Sequence, residues 1–204
     1  MRYTGPRLRV MRALGTELPG LSRKSIENRP HPPGQHGARL FATRKSEFGK
    51  QLREKQKLKY NYGLSERQMR RVMAEARGAK GNTGATMLEL LERRLDNFVF
   101  RAGFAPTLIA ARQLVNHRHV LLNGRAATIA SIRIRAGDQI SIKSRALQIP
   151  AVIDALTNLP LQRPEWLEFN EAAKTARITR LPMADEVPLP IEIQQVVEYY
   201  TQRM

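Results

Sequence analysis

Hydrophobic positions change their period twice along the chain. Over residues 1–44 they keep none: Leu8, Val10, Met11, Leu14, Leu18 and Leu21 are scattered among arginines, and seven prolines and glycines fall in "LPG" and "RPHPPGQHG". That pattern predicts an extended basic arm, ordered mainly against a partner, with the apolar side chains as local anchors. From Lys45 to Tyr60 the chain reads as a helix in which Phe48, Leu52 and Leu58 are outnumbered by lysine and arginine. A second helix follows, opened by Ser65 and Gln68 at capping-box spacing, with Met69, Val72, Met73 and Ala76 at i, i+3, i+4 and i+7. Arg67, Arg70, Arg71 and Arg77 take its other faces. "GAKGNTGA" (78–85) reads as a loop.

Helical spacing continues in "TMLELLERRLDNFVFRAGF", where Thr86 and Glu89 form another capping-box pair. Leu88, Leu91, Leu95, Phe98 and Ala102 share a face, and Gly103 is placed to end the helix in a left-handed cap. Thr107 then caps "LIAARQLVNH", with Ala110, Ala111, Leu114 and Val115 inward. Here the period drops to two. Val120 and Leu122 alternate before Asn123-Gly124, a hairpin signal because both central positions of a type I′ turn need positive φ. Ile132 and Ile134, then Ile140 and Ile142, alternate around the turn "AGDQ". "RPEWLEFNEAAKTARITRLP" predicts two more strands about an Asn/Ala/Lys turn. The chain closes on a helix with Ile193, Val197, Tyr200 and Met204 on one face and Glu192 near its positive end. Helices and short antiparallel strands in separate runs predict an α+β protein.

Composition sharpens this. The 204 residues suffice for one large or two small domains. The formal net charge of +17 predicts a polyanionic partner, and its distribution says where that partner sits. Residues 1–85 carry 20 Lys+Arg against 6 Asp+Glu, residues 86–145 carry 10 against 4, and residues 146–204 carry 5 against 8. The polyanion is expected on the first two thirds, and the acidic last third is expected to face protein. The absence of cysteine removes disulfides, thiolate metal sites and thiol nucleophiles, and fits a reducing compartment. No apolar run approaches the ~20 residues of a membrane span. The basic start lacks a secretory core and suits an arm better than a targeting helix, so a complete, unprocessed chain is expected.

Candidate chemistry centres on "ARQLVNHRHVLLNGR" (111–125). A metal at His117 and His119 would need further ligands, and His31 and His36 sit in a distant Pro/Gly loop. The pair either closes the turn structurally or meets a polyanion. Arg93, Arg94, Arg101, Arg112 and Arg125 are expected on the non-core side of two packed helices and a hairpin. There guanidinium forks would bind phosphate, while Gln113, Asn123 and the histidines reach 2′-OH groups or base edges. Few exposed aromatics predict recognition of folded RNA by shape; Tyr60 and Tyr62 are stacking candidates, although such tyrosines are more often core. "GAKGNTGA" lacks the Gly-Lys-Ser/Thr ending of a phosphate loop.

"LERRLDNFVFRAGFAPTLIAARQLVNHRHVLLNGRAATIASIRIRAGDQISI" closely resembles the S4 RNA-binding domain, and "RYTGPRLRVMRALGTELPGLSRK", "PPGQHG", "KLKYNYGLSERQMRR" and "PEWLEF" resemble the bacterial and plastid S4 ribosomal-protein family in the same order. The resemblance covers nearly the whole chain. It implies an extended arm over 1–44, a discontinuous helical domain over 45–91 and 182–204, and an inserted S4 domain over 92–181 with its core at 92–145. It also implies that the last helix packs back on the 45–85 helices. The implied function is structural: a primary rRNA-binding protein clamping a junction in the 5′ domain of small-subunit rRNA and nucleating assembly. The family's neighbours are small-subunit protein five, with which it influences decoding accuracy, and other small-subunit proteins.

The rRNA-binding positions so implied are Arg7, Arg9, Arg12, Arg23, Lys24, His36 and Arg44 in the arm, and Lys45, Lys50, Lys55, Lys57, Lys59, Tyr60, Arg67, Arg70 and Arg71 in the helices. In the S4 module they are Arg93, Arg94, Arg101, Arg112, Gln113, His117, Arg118, His119, Asn123 and Arg125. No catalytic residue, cofactor, metal, small-molecule substrate or membrane is implied. Two departures stand out. Arg118 occupies a place often held by glycine, and the four amino-terminal cysteines of some members are missing. Length, absent cysteines and the wording of the arm predict a cyanobacterial or plastid ribosome. An enzymatic alternative exists because the same module is appended to pseudouridine synthases. However, the 59 residues after Arg145 are too few for a catalytic domain, and Asp154 and Asp185 lie in no constellation. Generic DNA or membrane binding explains the charge but neither the motif nor the acidic tail.

Overall fold

Buried apolar side chains form two separate sets, and the chain divides with them. The computed structural model describes residues 3–37 and 46–203; the expectations for Arg44, Lys45 and Met204 lie outside the described residues. One unit comprises residues 1–87 with 188–204, the other residues 88–187. Among the described residues there are nine α-helices and one five-stranded antiparallel sheet, an α+β protein.

The first unit is helical. Helix α1 (Arg7–Leu14) lies inside the stretch expected to be extended. Its punctuation explains the difference: Pro6 precedes the first turn, and Gly15, at φ 66°, closes the last. Met11, Leu18 and Leu21 are buried, so apolar anchors of the arm are part of the first unit's core. Helix α2 (Glu47–Asn61) is capped by the Ser46 hydroxyl, which accepts from the Gly49 N–H (3.2 Å). Its buried stripe is Gln51, Glu54, Lys55, Leu58 and Asn61, whereas Phe48, one of its three apolar positions, is 46% exposed. The polar stripe is satisfied by other segments: the Gln51 amide donates to Glu198 (3.3 Å), Lys55 Nζ to Glu66 (3.0 Å), and the Gly20 N–H to Asn61 Oδ1 (3.0 Å).

Helix α3 (Glu66–Gly78) forms as its sequence predicts. The Ser65 N–H donates to Gln68 Oε1 (2.9 Å) and the Gln68 N–H to Ser65 Oγ (3.3 Å), while Met69, Val72, Met73 and Ala76 are buried. Helix α4 (Thr83–Glu92) starts three residues before the expected Thr86 because Asn82 Oδ1 accepts from the Ala85 N–H (3.1 Å).

The second unit begins within α4, at Leu88. The long helix expected through residue 102 is instead α4 followed by α5 (Leu95–Arg101). Between them Arg94 is extended and bridges Arg133: the Leu95 N–H donates to the Ile132 carbonyl (2.9 Å) and the Ile134 N–H to the Arg93 carbonyl (2.9 Å). Gly103 ends α5 at φ 87°. Helix α6 (Leu108–Asn116) is capped by Thr107 Oγ1, which accepts from the Ala110 N–H (3.3 Å). Strands β1 (Val120–Leu122), β2 (Arg125–Ala126), β3 (Gln139–Ile142), β4 (Leu167–Asn170) and β5 (Thr175–Ile178) lie in the order β2-β1-β3-β5-β4. Asn123 (φ 49°) and Gly124 (φ 78°) make the hairpin turn. Short helices α7 (Ser144–Leu147) and α8 (Pro150–Thr157) separate the first three strands from the last two. Trp166, Phe98, Phe104, Ile140 and Ile178 fill the core, with Phe98 and Trp166 ring centroids 5.8 Å apart.

The last helix, α9 (Ile193–Thr201), belongs to the first unit and packs on α2 and α3. Val196 and Tyr200 are its buried residues, with Ile193 and Val197 half-buried beside them. The Tyr200 hydroxyl donates to Glu66 Oε1 (3.0 Å).

Candidate nucleic-acid interface

Each unit presents cations, but fewer than their number in the sequence. In the first unit, α3 turns Arg67, Arg70, Arg71 and Arg77 outward because its other face is committed to the core. Arg7, Arg9, Arg23, Lys24 and His36 are also exposed. Arg12 is half-buried and its Nε donates to the His31 carbonyl (2.9 Å), tying α1 to the Pro/Gly loop.

The lysines of α2 are largely spoken for. Lys50 is exposed and pairs with Glu47 (2.7 Å); that hydrogen bond, before the charge itself, raises its pKa. Lys57 pairs with Glu54 (2.6 Å), and Lys59 lies 3.8 Å from Glu66. Lys55 is only 4% exposed and is held by Glu66, so it leaves the expected surface. Tyr60 is half-buried, edge-on to Tyr3 at 5.2 Å, and burial raises its pKa. Tyr62 is core.

In the second unit three of the five arginines expected on one outer face turn inward. Asp96 is fully buried and binds two guanidinium groups. Arg94 reaches it with Nε (3.0 Å) and an Nη (2.9 Å), and Arg112 with Nε (2.8 Å) and an Nη (2.6 Å). Arg94 is 7% exposed. Arg101, 4% exposed, lies 3.7 Å from the buried Glu92 and donates to the Glu186 carbonyl (3.4 Å). A buried carboxylate requires a cation beside it; the legible signal was Glu92 and Asp96, acids standing among apolar helix positions. Arg93 is half-buried, paired with Glu89 (3.0 Å).

What remains outward is the end of α6 and the hairpin: Gln113, His117, Arg118, Asn123 and Arg125 are exposed and His119 half-buried. The helix ends in a Schellman motif. The His119 N–H donates to the Leu114 carbonyl (3.0 Å) and the Arg118 N–H to the Val115 carbonyl (3.0 Å). Arg118 thereby sits at φ 62°, a conformation natural to glycine. The two imidazoles flank it with ring centroids 6.2 Å apart. Among the described residues no group of three or more His, Cys, Asp or Glu could hold a metal. Asn123 holds the hairpin, donating to Asp138 (2.8 Å) and accepting from the Gln139 N–H (2.8 Å). Arg135, Lys143 and Arg145 are exposed as well. The sequence reading passed over these three; Lys143 and Arg145 stand just past the last alternating isoleucine.

Residues 2–92 match the ribosomal protein S4/S9 N-terminal domain and residues 93–140 the S4 domain. The small ribosomal subunit protein uS4B of Nitrosomonas europaea is 64% identical, covering all of this chain and 99% of the relative. The uS4 protein of Methylobacillus flagellatus is 61% identical over the same shares. That of Acaryochloris marina is 48% identical, covering 99% of this chain and 98% of the relative. The expected cyanobacterial or plastid placement is therefore not favoured over a betaproteobacterial one. It weighed length, cysteine count and one segment, where the whole-chain comparison weighs 203 positions. The chain belongs to the uS4 family of small ribosomal subunit proteins, which are ribosome constituents and not enzymes.

Proposed function

We propose that this chain is a primary rRNA-binding constituent of the bacterial-type small ribosomal subunit, clamping a junction in the 5′ domain of small-subunit rRNA and nucleating assembly. The observation that carries the reading is the arginine face of α3: four guanidinium groups are held outward by a helix whose opposite face is locked in the core. Exposed Gln113, His117, Arg118 and Arg125 supply a second set on the S4 domain. Fixed cations lower the repulsion between converging RNA helices, and their fixed spacing makes that effect depend on shape. In this reading residues 92–181 are the inserted RNA-binding domain, and 45–91 with 182–204 the helical one. The acidic last third faces small-subunit protein five and other subunit proteins, through which the chain contributes to translational accuracy.

Binding to the isolated 5′ domain of small-subunit rRNA, compared with a junction-disrupted control across a salt series, tests this. With six to ten phosphate contacts both affinities fall by about 10³–10⁵ between roughly 50 and 200 mM salt, taking the duplex-DNA rule as a guide. A preference for the intact junction that survives at high salt supports the reading; equal binding to both RNAs defeats it.

A further inference from the structure

Beside the histidine turn lies a cleft of about 230 Å³ that the arginine surfaces leave unexplained. Phe104, Pro106, Leu114, Ile149 and Val152 make its apolar walls, and Gln113, His117 and His119 bring the polar atoms to it. Its far wall is the start of α8, beyond the residues that match the S4 domain.

Cations stand in the segments that border it. Arg118 lies between the two histidines, and the Lys143 N–H donates to the His119 carbonyl (2.9 Å), which brings Lys143 beside the same turn. Arg145 follows on α7, the helix that leads into the Ile149–Val152 wall. Arg118, Lys143 and Arg145 are all exposed. Apolar walls call for a flat, weakly polar body; an amide and two imidazoles offer it donors and acceptors; three cations outside call for phosphates attached to that body. One chemical unit, a nucleotide, has all three parts joined, whereas a peptide carries its apolar and anionic groups on separate side chains.

Resting on the RNA-binding reading above, we infer that this cleft receives one unpaired nucleotide of the partner RNA, its base between the α6 and α8 walls and its flanking phosphates on Arg118, Lys143 and Arg145. The contact adds base recognition to an interface that otherwise reads backbone and shape.

Ala110 lines the cleft and is half-buried, so Ala110→Met fills the space without altering a charge. The full-length variant, with its thermal midpoint measured beside wild type, is assayed against the 5′-domain RNA together with Gln113→Ala, a change at an exposed position that leaves folding intact. Each variant is expected to weaken binding by on the order of 10-fold with an unchanged salt slope, since base insertion (Ala110→Met) or a hydrogen bond to the base (Gln113→Ala), and not a phosphate contact, is lost. A nucleotide protected from dimethyl sulfate by wild type should regain reactivity with Ala110→Met. Lys143→Ala and Arg145→Ala should each lower the salt slope by about one. If both cleft variants bind with wild-type affinity and footprint while wild type still prefers the intact junction, the cleft proposal fails and the RNA reading stands. Loss of another protein's incorporation with unchanged RNA binding would place a protein in the cleft and overturn the proposal. No junction preference in wild type would remove both.

Discussion

Arg118 joins a folding cost to the binding role proposed for it. The Schellman bonds at the end of α6 require a left-handed residue between the histidines, and the arginine takes φ 62° there while remaining exposed. A side chain in that region costs about 1 kcal/mol or more relative to glycine. Arg118→Gly is therefore expected to raise stability by about 1 kcal/mol, read as a higher urea midpoint at unchanged slope. On the RNA-binding reading proposed above, the same change also removes a phosphate contact and should lower the salt slope of RNA binding by about one. Equal stability of the two proteins would mean that the turn holds arginine without strain. Asp96 is the opposite case, an acid that the charge count treats as a minor subtraction. By drawing in Arg94 and Arg112 it decides which arginines are left for a partner.

At the scale of elements, apolar period identified the longer helices and the strands, and caps and long-range pairing decided where they stop. The α3 face, the α6 cap, the Asn-Gly hairpin and the two late strands were legible because their signals are local: capping hydrogen bonds and positive φ lie within a few residues of the apolar run that they bound. The break between α4 and α5 was not. Leu91, Leu95 and Phe98 stay buried in helical register across it, and its cause is the backbone of residues 132–134, some forty positions away. Helix α2 misled in another way, since its buried stripe is polar and satisfied by residues as distant as Glu198. Helices α7 and α8 were passed over, although Pro150 at the first turn of α8 was a start signal. The start of α4 can be tested directly. Asn82 accepts the Ala85 N–H, whereas Thr86 lies inside the helix. Asn82→Ala should cost about 1 kcal/mol, and Thr86→Ala should stay within about 0.5 kcal/mol of wild type. Urea titrations of the two variants that give the reverse order would return the cap to Thr86.

For the whole molecule, a chain of net charge +17 folds by pairing its few acids well, and its stability should therefore report their protonation. Glu66 is pulled up by burial, but the hydrogen bond and charge of Lys55, then the Tyr200 hydroxyl, outweigh that and hold its pKa below the ordinary value. Glu186 is held low by its hydrogen bond from Arg180 (2.9 Å), against a smaller opposing effect of burial. A lowered folded pKa contributes stability above the unfolded value, about 4.3 for glutamate, that is lost as pH falls through the folded one. Tyr200 runs the other way. Burial first, then the charge of Glu66, raises its pKa far above the usual ~10, so its contribution is complete below about 10 and declines as pH rises beyond it. Urea midpoints are thus expected to stay level between about pH 5 and 9 and to fall on both sides, by different groups. Tyr200→Phe separates the limbs: it deletes a phenol that would have to ionise while buried at 1% exposure and leaves the Arg180–Glu186 pair intact. The variant should be less stable than wild type at neutral pH, because Glu66 loses a donor. It should then lose less on going from about pH 9 to 11, while its acid limb keeps the Glu186 part. Parallel alkaline limbs in the two proteins would mean that Tyr200 meets solvent, and the packing of α9 on α2 and α3 would have to be drawn differently.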